Sequence, residues 1–301
     1  MNAFRFEPLQ ISEWHPDRVF DARAPEREDP APNSEQFDIS FRPSMLPELD
    51  LLDRIIPIAR EAGAIVMRVY RTEFKIGGKR DASPVTEADH RAETLILSAL
   101  ARIEPGSQVV SEEAACAGPP SAVAEERFWL VDPLDGTREF CDRNGEFTVN
   151  IALVERGIPV LGVVLAPASG RLFAGAAGAG AFVEDASGRR RTIACRCAPP
   201  AGLTVVSSRS HGDVEALDAY LAGRVVASRV TAGSSLKFCL VAGGEADLYP
   251  RFGRTMEWDT AAGHAVLRAA GGRVTDLNGS ELRYGKPDFA NPHFVATGRQ
   301  G

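Results

Sequence analysis

The sequence predicts an α/β protein in which layers of helices alternate with layers of sheet. Three observations predict this class. An amphipathic helical pattern begins near Leu49, short apolar runs of strand length follow it, and strands then alternate with helices in the second half of the chain. With 301 residues, the chain is long enough for one large domain or two closely packed ones.

Two amphipathic helices open the patterned region, the second of them following Thr86. Their apolar positions recur at helical spacing, so each helix has one face suited to burial in a core. These positions are Leu52, Ile55, Ile56, Ala59, Ala62, Ile65, Val66 and Val69 in the first helix, and Ala92, Leu95, Ile96 and Leu100 in the second.

Short apolar runs predict strands, and the segments between them predict helices. The first four strands are expected at 108–110, 128–131, 148–154 and 160–165. The segment 170–180 is rich in Gly and Ala and is expected to be a hairpin or a domain junction. Beyond it, strands are expected at 203–206, 225–230 and 246–249, and helices at 213–221, 235–242 and 260–270.

These patterns divide the chain into three parts: an extension at 1–44, an α+β part at 45–180 and an α/β part at 181–301. The extension holds six prolines, no lysine and nine acidic residues, which favours disorder. It also holds six aromatic residues, which favour docking on the body of the protein. A third interpretation is that the native chain starts at Met45.

Composition and charge narrow the functional class. The net charge of −7 argues against non-specific nucleic-acid binding, which needs a basic surface, but is compatible with a phosphorylated substrate held through cations. No apolar run is long enough for a membrane-spanning helix. The five cysteines form no paired framework, which indicates a reducing compartment and thus the cytoplasm. Peripheral association with the inner face of the cell membrane and the oligomeric state stay open.

The strongest local signal is the segment 129–137, in which an apolar strand leads to Asp132 and Asp135 with Gly136 and Thr137 directly after them. Two carboxylates with a backbone carbonyl between them suit a hard cation that prefers oxygen ligands. The structural alternative is a polar turn in which the Asp side chains accept from local backbone donors. Haloacid-dehalogenase phosphatases have only one residue between their two aspartates. The extra residue here would place Asp135 on the opposite face of an extended strand, which disfavours that class.

Three further acidic positions are weaker signals when each is taken alone. Glu112 follows a predicted strand, where acids of neighbouring strands converge, but such a position is more often a solvated loop. Asp89 lies three residues after Thr86, which also fits a helix capping box. Asp259 begins a predicted helix and could be an ordinary first-turn acid.

Taken together and in this order, these segments resemble the lithium-sensitive, magnesium-dependent phosphatase superfamily that includes the inositol monophosphatases. The resemblance runs from about residue 49 to about residue 295. Several blocks are most similar to the bacterial 3′(2′),5′-bisphosphate nucleotidases. These blocks are 143–153, 208–211, 233–242, 248–253 and 258–264.

The resemblance implies a sandwich of alternating helical and sheet layers and a role for each matching residue. It implies that two or more Mg²⁺ ions are bound by Glu112, Asp132, the carbonyl of Leu134, Asp135 and Asp259. It assigns the ordering and deprotonation of the attacking water to Asp89 and Thr137. It also implies a set of substrate-binding residues, which includes every metal-site residue except Asp132. The full set is Glu112, Leu134, Asp135, Gly136, Thr137, His211, Ser234, Lys237, Arg251 and Asp259. By themselves, His211, Lys237 and Arg251 could equally be ordinary surface residues.

The predicted activity is Mg²⁺-dependent hydrolysis of the 3′-phosphate of 3′-phosphoadenosine 5′-phosphate, which yields AMP and phosphate and belongs to sulfur metabolism. Cations can neutralise the phosphoryl oxygens and acidify a water, so that no covalent nucleophile is needed. Inositol monophosphate or a sugar bisphosphate is the alternative substrate. A catalytically silent nucleotide-binding regulator is a further alternative, although such a protein would be expected to have lost a metal ligand.

Overall fold

The computed structural model describes residues 47–72, 77–78, 84–85, 87–117, 123, 125–209 and 213–299. The chain divides into two units, Met1–Met45 and Leu46–Gly301, and the second is a compact unit that contains all of the described residues. The predicted extension at 1–44, Thr86 and His211 lie outside the described residues. None of the helices described in these ranges is long and apolar enough to cross a membrane.

Two long helices form the first layer, as their amphipathic patterns predict. They are α1 (Pro47–Tyr70) and α2 (Glu87–Ile103), with the short antiparallel pair β1 (Gly77–Gly78) and β2 (Pro84–Val85) between them. The apolar face of α1, including Leu52, Ile55 and Val66, is fully or almost fully buried against α2 and one face of a sheet. This burial drives the packing of the layer.

A seven-stranded sheet forms the second layer. Its strands are adjacent in space in the same order as in the chain, and all pairs are antiparallel except the first. They are β3 (Gln108–Ser111), β4 (Arg127–Asp135), β5 (Thr148–Glu155), β6 (Ile158–Ala166), β7 (Arg171–Ala176), β8 (Gly180–Glu184) and β9 (Arg190–Ile193), with the short helices α3 (Glu112–Ala117) after β3 and α4 (Thr137–Cys141) after β4. The segment 170–180 is therefore a hairpin, and this sheet continues past residue 180 to Ile193.

A five-stranded mixed sheet forms from the remainder of the chain, in the order β11-β10-β12-β14-β13. Parallel pairing joins β10 to β11 and to β12, whereas β14 pairs antiparallel with β12 and β13. The strands are β10 (Leu203–Ser208), β11 (Val226–Ala232), β12 (Leu248–Arg251), β13 (Arg273–Asp276) and β14 (Phe294–Thr297). The helices are α5 (Val214–Leu221), α6 (Leu236–Ala242) and α7 (Glu257–Ala269).

Helices α6 and α7 lie between the two sheets, and this inner layer positions the candidate site. Apolar side chains of both sheets and both helices share one core, while the side chains facing α1 and α2 form a second core. Gly162 on β6 allows α7 to approach closely, because a Cβ at this position would lie 2.4 Å from the carbonyl oxygen of Ala262. The alternating layers confirm the predicted α/β class.

Candidate active site

A β-bulge at the end of β4 brings Asp132 and Asp135 to the same face of the sheet. Asp132 is opposite Asn150 on β5, and Asp135 is opposite Thr148, so three steps on β4 match two on β5. Directly paired residues point to the same face of a sheet, and an extra residue in a bulge changes the direction of those that follow. Asp132 and Asp135 therefore do not have the opposite-face arrangement that a regular extended strand would give them. Leu134 instead turns into the core beneath α1 and α2.

Asp132 is an almost fully buried acid with several other carboxylates near it. Its side chain is 1% exposed, and its Oδ1 atom accepts a hydrogen bond from the Leu134 backbone N–H at 3.0 Å. Its Oδ2 atom is buried with no hydrogen-bond partner among the described residues. Burial raises the pKa of Asp132 well above its usual range, and the neighbouring carboxylates of Glu112, Asp135, Asp259 and Asp89 raise it further.

The Asp135 carboxylate is held by hydrogen bonds from the start of α6 and from β5. Its Oδ2 atom accepts from the Ser235 backbone N–H at 2.6 Å, and from Asn150 Nδ2 and Thr148 Oγ1 at 3.3 Å each. Burial raises the pKa of Asp135, while the cation of Lys237 and the hydrogen bonds from Ser235 N–H and Asn150 lower it. The carboxylate is thus held at the junction of the two sheets before any ligand binds.

Helix α7 contributes Asp259 to the same group. Its Oδ2 atom accepts from the Met256 backbone N–H at 2.7 Å, so it does satisfy the helix N-terminus, as the structural interpretation predicted. Burial and the charge of Asp135 raise the pKa of Asp259 to about 7, against the opposing effects of Met256 N–H, Arg251 and Lys237. Asp259 therefore caps a helix and also lies within electrostatic range of Asp135.

Asp89 and Glu112 approach the group from the side of α2 and α3. Asp89 is in the first turn of α2 and is only 2% exposed. Glu112 is the first residue of α3 and is half-buried. Both raise the pKa of Asp132, which requires them to lie near it. Of the five acids that the resemblance implies for the site, four therefore lie within electrostatic range of the fifth, Asp132.

The turn after β4 adds a hydroxyl and a carbonyl. Gly136 has φ +91°, a left-handed conformation that favours glycine, and it starts α4 directly beside the acids. Thr137 Oγ1 donates to the Leu134 carbonyl oxygen at 3.4 Å. The predicted metal ligand Leu134 O and the predicted water-ordering residue Thr137 are therefore in contact.

The chemistry of this group suits divalent cations. Four of its carboxylates raise the pKa of a fifth, and the buried Oδ2 atom of Asp132 has no donor in the described part of the chain, so a bound cation would relieve both conditions. No three His, Cys, Asp or Glu side chains in the described ranges converge as a complete ligand set for one ion. An incomplete set of protein ligands is compatible with Mg²⁺, because this ion usually binds one or two carboxylates and retains several waters.

The predicted substrate residues Lys237 and Arg251 are buried, which excludes the alternative that they are ordinary solvated charges. Lys237 Nζ donates to the carbonyl oxygens of Ala232 and Ser234, and burial lowers the pKa of Lys237 to about 8. Arg251 Nη2 donates to the Arg254 carbonyl oxygen at 3.1 Å. Both cations lower the pKa of Asp259, so a cationic region borders the acids.

Several residues in contact with the site were not predicted from the sequence. Ser235 Oγ hydrogen-bonds Asn150 Oδ1 at 2.7 Å and Thr148 Oγ1 at 2.9 Å, which links the two sheets behind Asp135. Glu146 and Arg209 form a second link between the sheets. All five lie inside or next to the blocks that carried the resemblance. For Thr148 and Asn150, the available signal was a polar residue within an apolar strand, since such residues need buried partners.

With this geometry, comparison with known proteins identifies the class. The chain belongs to the inositol monophosphatase family, whose model matches residues 49–299. Among curated relatives, the 3′(2′),5′-bisphosphate nucleotidase CysQ of Escherichia coli strain K12 is 48% identical over 250 residues, covering 81% of this chain and 98% of the relative. The protein of the same name from Buchnera aphidicola is 41% identical over 257 residues, covering 82% of this chain and 93% of the relative.

Solved structures agree with this assignment. CysQ from Bacteroides thetaiotaomicron, described as a bacterial member of the inositol monophosphatase family, aligns with a TM-score of 0.71 at 36% identity. That alignment covers 84% of this chain and 98% of the other. The IMPase TM1415 of Thermotoga maritima aligns with a TM-score of 0.67 at 26% identity, over 82% of this chain and 92% of the other.

Proposed function

We propose that this protein is a 3′(2′),5′-bisphosphate nucleotidase that removes the 3′-phosphate of 3′-phosphoadenosine 5′-phosphate, giving AMP and phosphate. The observation that carries the proposal is the juxtaposition of a buried acid group with the buried cations Lys237 and Arg251. The acids suit the cations that assist hydrolysis, and the two basic side chains suit a second phosphate. Similarity to nucleotidases at 48% identity supports the same substrate class.

We assign the metal ligands of the proposed site to Glu112, Asp132, Asp135, Asp259 and the Leu134 carbonyl, which would hold two or more Mg²⁺ ions. When bound, Mg²⁺ supplies charge neutralisation at the phosphoryl oxygens and acidification of water. The backbone N–H of Ser235 keeps Asp135 in a fixed orientation, and that of Met256 does the same for Asp259.

Asp89 and Thr137 would prepare the attacking water. Because Thr137 Oγ1 donates its proton to the Leu134 carbonyl, its oxygen lone pairs remain able to accept a hydrogen bond from water. Asp89 is buried in the first turn of α2. It would take up the proton of that water that is not hydrogen-bonded to Thr137, as the water attacks in line. The hydrolysis then needs no covalent intermediate on the protein.

Lys237 and Arg251 would select a substrate with a second phosphate. Lys237 has a pKa of about 8, so it is mostly cationic at pH 7 and can form a charge-assisted hydrogen bond to phosphate. Inositol monophosphate has only one phosphate and would offer these cations no second phosphate to bind.

The five cysteines are all free, which supports the predicted cytoplasmic setting.

Phosphate release from the purified protein tests the proposal. The substrates are 3′-phosphoadenosine 5′-phosphate, inositol 1-phosphate and fructose 1,6-bisphosphate, each with Mg²⁺ and with excess chelator. We expect the nucleotide to have the highest kcat/KM and chelator to remove the activity. Full activity in chelator would contradict the metal mechanism, and a preference for inositol phosphate would contradict the substrate.

Substitution of the two cations tests the specificity. Lys237→Met and Arg251→Gln should lower kcat/KM for the bisphosphorylated nucleotide by about tenfold to a hundredfold, since a hydrogen bond to a charged group contributes about 1.5–3 kcal/mol. Their effect on 4-nitrophenyl phosphate should be much smaller. Arg156→Gln is the control, because the Arg156 side chain is 84% exposed. Equal losses on both substrates would make Lys237 and Arg251 structural residues.

A further inference from the structure

The carboxylate of Glu146 connects the two sheets beside the candidate site. Glu146 precedes β5 by two residues and its side chain is only 5% exposed. Both of its oxygen atoms accept from the Arg209 guanidinium, at 2.8 Å from Nε and 2.6 Å from Nη2. Its Oε2 atom also accepts from the Gly233 backbone N–H at 2.8 Å. We name this set, Glu146 with Arg209 and Gly233, the Glu146 bridge.

The two partners of Glu146 lie next to the residues proposed to bind substrate. Arg209 directly follows β10, two positions before His211 in the sequence. Gly233 directly follows β11 and precedes Ser234, whose φ of +45° is unusual for a residue with a side chain. Lys237 then lies in the first turn of α6.

Gly233 also fits tightly against the loop that carries Glu146. A Cβ at position 233 would lie 2.5 Å from the Glu146 carbonyl oxygen and 2.8 Å from Glu139 Cγ. Two residues further along, the Ser235 backbone N–H donates to Asp135. The segment 233–235 is therefore attached to the seven-stranded sheet through both Gly233 and Ser235, and the partner of Gly233, Glu146, is not a proposed metal ligand.

We propose that Glu146 is a positioning residue that sets the substrate-binding segment 233–237 and the end of β10 in register with the metal-binding acids. This inference deepens the proposed function and rests on it. Glu146 touches neither substrate nor metal in this assignment and acts through Arg209 and Gly233. Loss of the Glu146 charge loosens the substrate-binding segment 233–237. The hydrogen bond from Ser235 N–H to Asp135 still keeps the metal-binding acid Asp135 in place.

A second buried ion pair provides a matched control. Asp247 is 2% exposed in its side chain, accepts from Arg196 Nε and Nη2 at 2.8 and 2.9 Å, and accepts from the Thr204 backbone N–H at 2.7 Å. Like Glu146, Asp247 is thus a buried carboxylate that accepts two hydrogen bonds from one Arg and one from a backbone N–H. Thr204 lies near the start of β10, whereas Arg209 follows its end, about 16 Å further along an extended strand.

The test compares Glu146→Gln with Asp247→Asn in the full chain. Both changes neutralise a buried carboxylate that holds an Arg and a backbone N–H, so both should lower Tm. Only Glu146→Gln should lower kcat/KM for 3′-phosphoadenosine 5′-phosphate, by about tenfold or more and mainly through KM, as outer partners of a site typically do. With 4-nitrophenyl phosphate, the loss of kcat/KM in Glu146→Gln should stay within about threefold. Equal losses on the two substrates, or the same selective loss in Asp247→Asn, would overturn the inference.

Arg209→Lys keeps the charge but cannot donate two parallel hydrogen bonds to one carboxylate. Arg209→Lys should raise KM for 3′-phosphoadenosine 5′-phosphate less than Glu146→Gln does, again with little effect on 4-nitrophenyl phosphate. This variant serves as the test if Glu146→Gln does not fold. An unchanged KM in folded Arg209→Lys and Glu146→Gln proteins would overturn the inference.

Amide hydrogen exchange separates failure of the inference from failure of the proposed function. Without any substrate, peptides covering 233–237 should exchange faster in Glu146→Gln than in the wild type and in Asp247→Asn. Unchanged exchange there would overturn the inference whatever the substrate. A wild-type protein that releases no phosphate from the nucleotide would instead overturn the proposed function, and the bridge would then be judged by exchange alone.

Discussion

At the scale of single residues, Asp89 has two possible roles that one substitution separates. It is an acid in the first turn of α2, where it favours the helix N-terminus, and it is buried near Asp132. A capping role requires only an acceptor near the N-terminus of the helix. A role in proton transfer requires a carboxylate.

We predict that Asp89→Asn lowers kcat by about 10²–10⁴ while Tm changes little, because Asn still accepts a hydrogen bond but takes up no proton. Glu87→Gln is the matched control, since Glu87 lies in the same turn but is 58% exposed and pairs with Arg91. Steady-state phosphate release at saturating Mg²⁺ measures the effect. Near-normal turnover in Asp89→Asn would make Asp89 a capping residue.

At the scale of secondary-structure elements, the distance between α7 and the seven-stranded sheet determines where Asp259 lies. Gly162 and Gly175 on neighbouring strands face α7, and a Cβ at either position would lie within 2.8 Å of a helix atom. The side chains of β4 that face α7 include Leu130 and, through the regular alternation of the strand, Asp132. Close packing of this helix therefore brings an acid on α7 to the acids on β4.

We predict that Gly162→Ala lowers the free energy of unfolding by about 1–3 kcal/mol, because the added methyl group overlaps the Ala262 carbonyl at 2.4 Å. The same displacement of α7 should weaken Mg²⁺ activation. Gly243→Ala is the control, since its nearest atom is at 3.3 Å. Denaturant unfolding and Mg²⁺ titration of activity measure the two effects, and a Gly162→Ala protein with wild-type values in both would contradict the predicted displacement.

At the scale of the whole molecule, we expect the acid group to make stability depend on pH and Mg²⁺ together. The folded state raises the pKa values of Asp132, Asp135 and Asp259, the last to about 7. An acid with a raised folded pKa favours the folded state at low pH, and this contribution is lost as pH rises through that pKa. Metal-free protein should therefore lose the contribution of Asp259 between about pH 4 and pH 7, whereas bound Mg²⁺ would compensate for the ionised acids.

We predict that the rise in Tm caused by Mg²⁺ is larger at pH 7.5 than at pH 5.5. Differential scanning calorimetry with Mg²⁺ and with chelator measures it at both values. The buried His264, whose pKa burial lowers to about 3, affects both conditions alike and cancels in the difference. Asp135→Asn should reduce the rise. An equal rise at both pH values would contradict the linkage between protons and metal.

The compact unit begins at Leu46, and the family match begins at residue 49. Every residue assigned to chemistry follows Met45. We therefore predict that a protein starting at Met45 folds and retains its nucleotidase activity, with Tm within about 2 °C of the full chain, since a change of 1 kcal/mol shifts Tm by about 2–4 °C at this size. A fall of several degrees together with lost activity would show that residues 1–44 stabilise the fold.

The helices and most strands were predictable because their signals are local. Apolar periodicity predicted α1 and α2, and the predicted helix at 213–221 matches α5 with Asp213 as its N-cap. Short or polar elements escaped prediction. Helix α3 has only six residues, and β9 exposes three of its four, so neither has a recognisable period.

By itself, the sequence determined which acids are candidates for the site and which family the chain resembles, because residue type, spacing and order are properties of the chain. The tertiary structure decided how these residues are used. The bulge in β4 turned Asp135 to the face of Asp132, and the packing of α6 buried Lys237. The Glu146 bridge joins residues 63 and 87 positions apart. Strand register, burial and distant hydrogen-bond partners result from the simultaneous packing of several elements, and no local pattern encodes them.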